Sequence, residues 1–129
     1  MAGKVIHFEV PIDDAERARA FYGGVFGWST QEFAPGMGYW PTDAGTGPGI
    51  GGALTQRSAE SPGLMFYIAV DDVDATLAAV AAAGGAALTP RMPIPGVGWM
   101  AFIQDTEGNR VGLFQSDPAA TMPEGAPGS

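Results

Sequence analysis

With 129 residues, of which 46% are hydrophobic, the chain has one domain's length and enough apolar material for a core. The absence of cysteine excludes a disulfide framework and thiolate metal sites, and no long apolar run is present to cross a membrane. Fourteen acidic residues against six basic ones leave a net charge of −8, and Lys4 is the single lysine, so nucleic acid is excluded as a partner for want of clustered positive charge. With no signal-peptide pattern, the expected location is cytoplasmic.

The chain opens with IHFEVPIDDAERARAFYGGVFGW, Ile6 to Trp28, and carries its only histidine there. Strand alternation sets Ile6, Phe8 and Val10 on one face, suited to a helix, and Val5, His7 and Glu9 on the other, suited to a polar cavity. Asp13 or Asp14 is expected to cap a helix over Ala15 to Tyr22, with Glu16 placed as in a capping box and Gly23 and Gly24 as its end. Val25 to Phe33 is predicted as a second strand and Gly38 to Thr42 as a third. The segment Asp43 to Gly51 reads as a glycine-rich loop, without the lysine of a phosphate-cradling loop. Ile50 to Gln56 closes the unit as a fourth strand, and residues 57–64 read as a linker.

The second half is predicted to open with a strand, Met65 to Val70, whose Phe66, Ile68 and Val70 face the core while Met65, Tyr67 and Ala69 face the cavity. A helix over Asp74 to Ala83, capped by Asp72 or Asp74, carries Val73, Leu77 and Val80 at helical spacing, and Gly84 stops it. Strands are expected over Ala86 to Thr89, Trp99 to Gln104 and Val111 to Gln115. Between them lie a proline-rich loop, Pro90 to Gly98, and a turn, Asp105 to Asn109, with Gly108 or Asn109 in the left-handed conformation. Residues 117–129 read as a disordered tail.

Sliding the chain by sixty residues aligns the halves without a gap. Val10 then meets Val70, Asp14 meets Asp74, Gly24 meets Gly84, Pro35–Tyr39 (PGMGY) meets Pro95–Trp99 (PGVGW), and Gly52 meets Gly112. Two such units share one domain, residues 1–129, with a first unit at 4–56 and a second at 65–116.

The tandem units, the histidine on the first strand, the FYGGVFGW segment and the closing DTEGNRVGL together resemble the vicinal oxygen chelate superfamily, the glyoxalase, bleomycin-resistance and extradiol dioxygenase fold. Within it the chain resembles the small lactoylglutathione lyase-related proteins. The resemblance implies an α+β fold, two tandem βαβββ units forming a curved mixed sheet around a cavity. It also implies a metal site drawn from the first and last strands of each unit, which the sixty-residue register places at His7, Gly52, Tyr67 and Gly112. Glycine has no donor and a neutral tyrosine is a poor ligand, so these four do not form a ligand set. No cofactor is therefore expected, with a divalent metal as the alternative. Glu9 and Gln115 are further donors that could reach in, but neither occupies a ligand position of the pattern.

His7 has two readings, a hydrogen-bonded structural residue or a ligand contact. Glu9 lies on the same strand face about 6.5 to 7 Å along, and such a pair can orient the histidine as a general base. Glycines in place of metal ligands are expected to leave a pocket. Its lining would come from His7, Glu9, Trp40, Gly52, Met65, Tyr67, Trp99, Phe102, Gly112 and Phe114, joined by Met100 and Gln104.

Three function classes follow. The first is a protein that binds a small apolar or aromatic molecule without a standard metal site. The second is a lyase, isomerase or dioxygenase-type enzyme using His7 with Glu9 as catalytic residues, or a non-standard divalent metal. The third is a structural or regulatory dimer module. A homodimer is expected in each case, because a half-open cup leaves sheet edges for a partner to cover.

Overall fold

The computed structural model describes residues 3–45 and 47–121. Contacts gather the chain into two compact units, one of Ile6–Phe66 and one of Met1–Val5 with Tyr67–Ser129. The class is α+β, and each unit sets one helix beside short strands. Among the described residues no helix is long and apolar enough to cross a membrane.

In the first unit β1 (Val5–Ile12) leads into α1 (Ala15–Phe26). Asp14 is the cap: its backbone is extended and its carboxylate accepts the Arg17 N–H at 3.0 Å. Asp13 is instead bound by Arg57 at 3.0 Å, and the same guanidinium donates to the carbonyls of Pro62 and Pro11. The helix runs through Gly23 and Gly24 and ends at Gly27, whose φ of 76° requires a glycine and whose N–H reaches Gly23 O at 3.0 Å.

The expected strand from Val25 to Phe33 is therefore absent; Val25 and Phe26 form the last helical turn, and 27–38 is irregular. Each glycine inside the helix costs about 1 kcal/mol relative to alanine. Aromatic packing offsets that cost, because Tyr22 stacks on Trp28 at 4.7 Å and 16°, and Trp28 meets the Phe8 ring at 5.5 Å.

Two further strands complete this unit, β2 (Tyr39–Thr42) and β3 (Gly52–Gln56), so it is βαββ among the described residues. β3 runs parallel to β1 and antiparallel to β2, with Phe8 opposite Gly52 and Trp40 opposite Leu54. Ile12, Trp40 and Leu54 form the core, and Val10, Ala15, Ala18, Tyr22 and Trp28 pack on it.

β4 (Met65–Ala69) carries the chain from the first unit into the second, which contains α2 (Val73–Ala82), β5 (Ala86–Ala87), β6 (Met92–Ile94), β7 (Gly98–Gln104) and β8 (Arg110–Ser116). β4 runs parallel to β8, β8 antiparallel to β7, and β7 carries β5 and β6 at its two ends. Asp72 caps α2 by accepting the Ala75 N–H, and the Gln115 side chain accepts the Val73 N–H, each at 3.0 Å. Ile103, Val111 and Leu113 make the core, with Ile68, Val70, Leu77 and Val80 against it. Phe66, expected to join the core, is 43% exposed.

Three further expectations are corrected here. The proline-rich loop contains β6, an edge strand in which Pro93 faces Trp99. β5 stops at Ala87 because the Thr89 hydroxyl takes the Phe102 N–H at 3.0 Å, replacing a ladder bond with a side chain. Residues 117–121 are not a disordered tail: Asp117 N–H bonds Val97 O, Gly96 N–H bonds Ala120 O, and Ala120 is buried. The rest of that segment, 122–129, lies outside the described residues.

Strand pairing also shows that the internal repeat slips. Phe8 pairs with Gly52, whereas its counterpart Ile68 pairs with Leu113, not Gly112. Trp40 pairs with Leu54, two residues beyond Gly52, and Trp99 pairs with Gln115, two beyond Leu113, so Trp40 and Trp99 are the equivalent residues. The ungapped sixty-residue register holds on the first strand of each unit and fails by one on the later ones.

Candidate functional site

On the first unit's sheet, alternation separates the α1 side, with Val10, Ile12, Trp40 and Leu54, from a second face that carries His7, Glu9, Ala53 and Tyr39. The strand between His7 and Tyr39 is β3, and on this face it shows Thr55, opposite Tyr39, and the small, fully buried Ala53. A phenol can cross above it. His7 Nε2 lies 3.0 Å from the Tyr39 hydroxyl and 3.5 Å from Glu9 Oε2.

Exposure falls inward along this group: the His7 side chain is 31% exposed and that of Glu9 is 10%. Burial first, then the charge of Glu9 and a hydrogen bond to it, push the Tyr39 phenol well above its ordinary pKa. The phenol is thus held as a neutral donor to Glu9, and its oxygen is left to accept from His7 when Nε2 carries the proton. His7 and Glu9 are expected from the sequence, and Tyr39 is an addition. Its signal was present, since Tyr39 alternates with Trp40 and must face away from the side that buries tryptophan.

In the second unit the face turned from α2 carries Tyr67, Phe102, Gly112 and Phe114. Tyr67 and Phe102 meet edge-on at 6.0 Å and 60°, and the Arg110 guanidinium lies 4.6 Å from the centre of the Phe102 ring. A Cβ placed on Gly112 would fall inside the Tyr67 ring. Glycine at 112 therefore does not vacate space; Tyr67 fills it.

Gly52 departs from its expected place. It shares Phe8's face, turned to α1 and away from His7, and a Cβ there would strike the Phe8 carbonyl and ring. Trp40 belongs to the core with Ile12 and Leu54. Trp99 lies on the α2 side of β7, with Arg91 stacked 3.9 Å from its ring centre and its indole N–H donating to Asp117 at 3.0 Å. Met65 is buried on β4, two residues from Tyr67. Of the expected lining, the structure brings together His7 with Glu9, and Tyr67 with Phe102, Gly112 and Phe114; it sends Gly52, Trp40 and Trp99 to the helix-covered faces.

Residues 4–113 match the Glyoxalase/Bleomycin resistance protein/Dioxygenase superfamily. The chain belongs to this superfamily. A glyoxylase-like domain-containing protein of Didymella fabae is 38% identical over 116 residues, 83% of this chain and 89% of that protein. A protein provisionally named glyoxylase CFP32, from Mycobacterium bovis, is 38% identical over 119 residues that take in 90% of this chain and 45% of that protein. The chain thus spans about half the length of this second relative. Among solved structures, methylmalonyl-CoA epimerase from Mycobacterium tuberculosis aligns with a TM-score of 0.64 at 18% identity, covering 90% of this chain and 89% of that one, a likeness of fold.

Membership raises the question of a divalent metal and of which donors are present to hold one. Among the described residues no three His, Cys, Asp or Glu side chains converge on one point. His7 and Glu9 are adjacent donors, and the third group beside them is the Tyr39 phenol, a poor ligand while neutral. Gln115, the other donor named from sequence, is engaged by the first turn of α2. A site of three or more protein ligands does not fit this arrangement.

Proposed function

We propose that this superfamily member binds a small, partly apolar organic molecule at His7, without a resident divalent metal. The supporting observation is the gradient along the His7, Tyr39 and Glu9 group. Its inner members satisfy each other, and its outer member is a partly exposed imidazole held in a fixed direction. A few oriented polar groups among apolar ones are what a small-ligand site requires. Calorimetric titration with zinc, nickel, manganese and ferrous iron tests the metal-free half of the reading. Submicromolar binding that disappears in His7→Ala would sink it, and weak binding unchanged in that variant is the expected result.

A second reading, proton transfer, is favoured by one specific contact. The Tyr39 hydroxyl stands between His7 and Glu9, so a proton gained at the imidazole has a hydrogen-bonded route to a buried carboxylate. The fold shared with methylmalonyl-CoA epimerase supplies a probe. Methylmalonyl-CoA incubated in D2O should acquire deuterium at its α-carbon with this chain and not with His7→Ala. Equal, uncatalysed exchange in both would leave binding as the function.

A further inference from the structure

We propose that Arg110 is a recognition site for a small carboxylate with an apolar body. This goes beyond the reading at His7 and stands on different residues. Arg110 opens β8 and, by alternation, projects on the same face as Gly112 and Phe114, the face turned from α2. Its guanidinium rests on the Phe102 ring at 4.6 Å, and Phe102 meets Tyr67 edge-on at 6.0 Å. Arg110 Nε is buried and has no hydrogen-bond partner among the described residues.

The absence of a partner is informative because the chain is acidic. Fourteen carboxylate side chains are present, and even exposed arginines use them: Arg57 binds Asp13 at 3.0 Å, and Arg91 lies 3.8 Å from Asp74. Among the described residues no carboxylate pairs with Arg110. A guanidinium carries five donors and keeps its charge at every physiological pH, so a buried, unpaired N–H on it is a standing cost that an incoming acceptor removes.

The surroundings select the acceptor. Among the described residues Arg110 is the one guanidinium on this face, flanked by Gln104 across the strand pair, which suits a monoanion and the planar fork of a carboxylate better than a doubly charged phosphate. The neighbouring Phe102 and, beyond it, Tyr67 are aromatic, which suits an apolar body attached to that carboxylate.

The test uses the full chain with phenylacetate as probe, phenylacetamide as its neutral counterpart and inorganic phosphate as the competing anion. Binding is followed by NMR through the Arg110 side-chain Nε–H resonance, assigned by its loss in Arg110→Lys. Phenylacetate should shift that resonance saturably, phenylacetamide should not, and Arg110→Gln should weaken phenylacetate binding at least tenfold. Arg110→Lys, which keeps the charge but loses the fork, should fall between. Should Arg110→Gln fail to fold, the wild-type resonance still decides the matter. An unmoved Nε–H at saturating phenylacetate overturns the proposal, as does phosphate binding at least as tightly or phenylacetamide shifting the signal equally. The metal and deuterium experiments on His7 are unaffected by either result, so failure here is distinguishable from failure there.

Discussion

In the unit formed by Ile6–Phe66, the sheet face turned from the helix carries the hydrogen-bonded group of His7, Glu9 and Tyr39; in the unit containing Tyr67, the corresponding face carries Tyr67, Phe102 and the cation of Arg110. Both units also set an aromatic ring over a glycine of the last strand, but on opposite sides. Phe8 covers Gly52 on the helix side, and Tyr67 covers Gly112 on the other. A slip of one residue in pairing moves a side chain through the sheet, so two units that look alike in sequence present different chemistry from matched strands.

The largest expected effect comes from pressing on those two glycines. Gly112→Ala puts a methyl group into the Tyr67 ring, and Gly52→Ala puts one against the Phe8 ring and also its backbone oxygen. Each should destabilise the chain by about 1–3 kcal/mol or more in urea denaturation. The partners then separate the two sites. Measured against Tyr67→Ala alone, Gly112→Ala should cost little more, because the three nearest atoms at that position belong to the Tyr67 ring, whereas measured against Phe8→Ala, Gly52→Ala should keep most of its penalty, because the carbonyl remains. An equal loss of penalty in both pairs would mean the slip is wrong.

A smaller effect tests the polar face. Tyr39→Phe removes the hydroxyl that stands between His7 and Glu9, at a cost of about 1–3 kcal/mol for groups left short of a partner. The wild-type phenol itself should ionise above the ordinary value of about 10, seen as the difference between wild type and Tyr39→Phe in the tyrosinate absorbance. Since its folded pKa is raised, this group's contribution to stability is complete below about pH 10 and is lost as pH climbs from there toward the folded value. Glu9→Gln should bring the ionisation part of the way down. Burial, the larger cause, stays in place.

Much of this architecture was legible in the sequence because it rests on local rules. Asp14 and Asp72 cap, Gly84 and Gly108 take positive φ, and alternation put His7 beside Glu9. What was not legible depended on contacts distant in sequence. Gly23 and Gly24 read as a helix end, yet the stacking of Trp28 on Tyr22 carries the helix through them. Gly52 read as a vacated ligand position, yet pairing with Phe8 turns it to the core. The site was found in part for the same reason: His7 and Glu9 are two residues apart, and Tyr39, reaching His7 across an intervening strand, is 32 away.

The smallest expected effect lies at the end of the second unit, where the chain after β8 stays folded back. Asp117 holds that segment from two sides: one oxygen accepts the Trp99 indole N–H at 3.0 Å, and the other accepts the Ala119 N–H at 2.9 Å. The Trp99 bond, then that to Ala119, holds the Asp117 carboxyl below its ordinary pKa, with the nearby charge of Arg91 a lesser cause and slight burial opposing. A depressed carboxylate stabilises above its ordinary pKa and loses that contribution as pH falls through the folded value. Trp99 fluorescence should accordingly hold steady through the ordinary carboxylate range, near pH 4, and change only below it. Asp117→Asn should abolish that acid-side change and leave the rest of the fold intact. The first unit offers the control: its equivalent tryptophan, Trp40, is sealed in the core with Ile12 and Leu54, so Trp40→Phe should leave the acid transition in place while Trp99→Phe removes it.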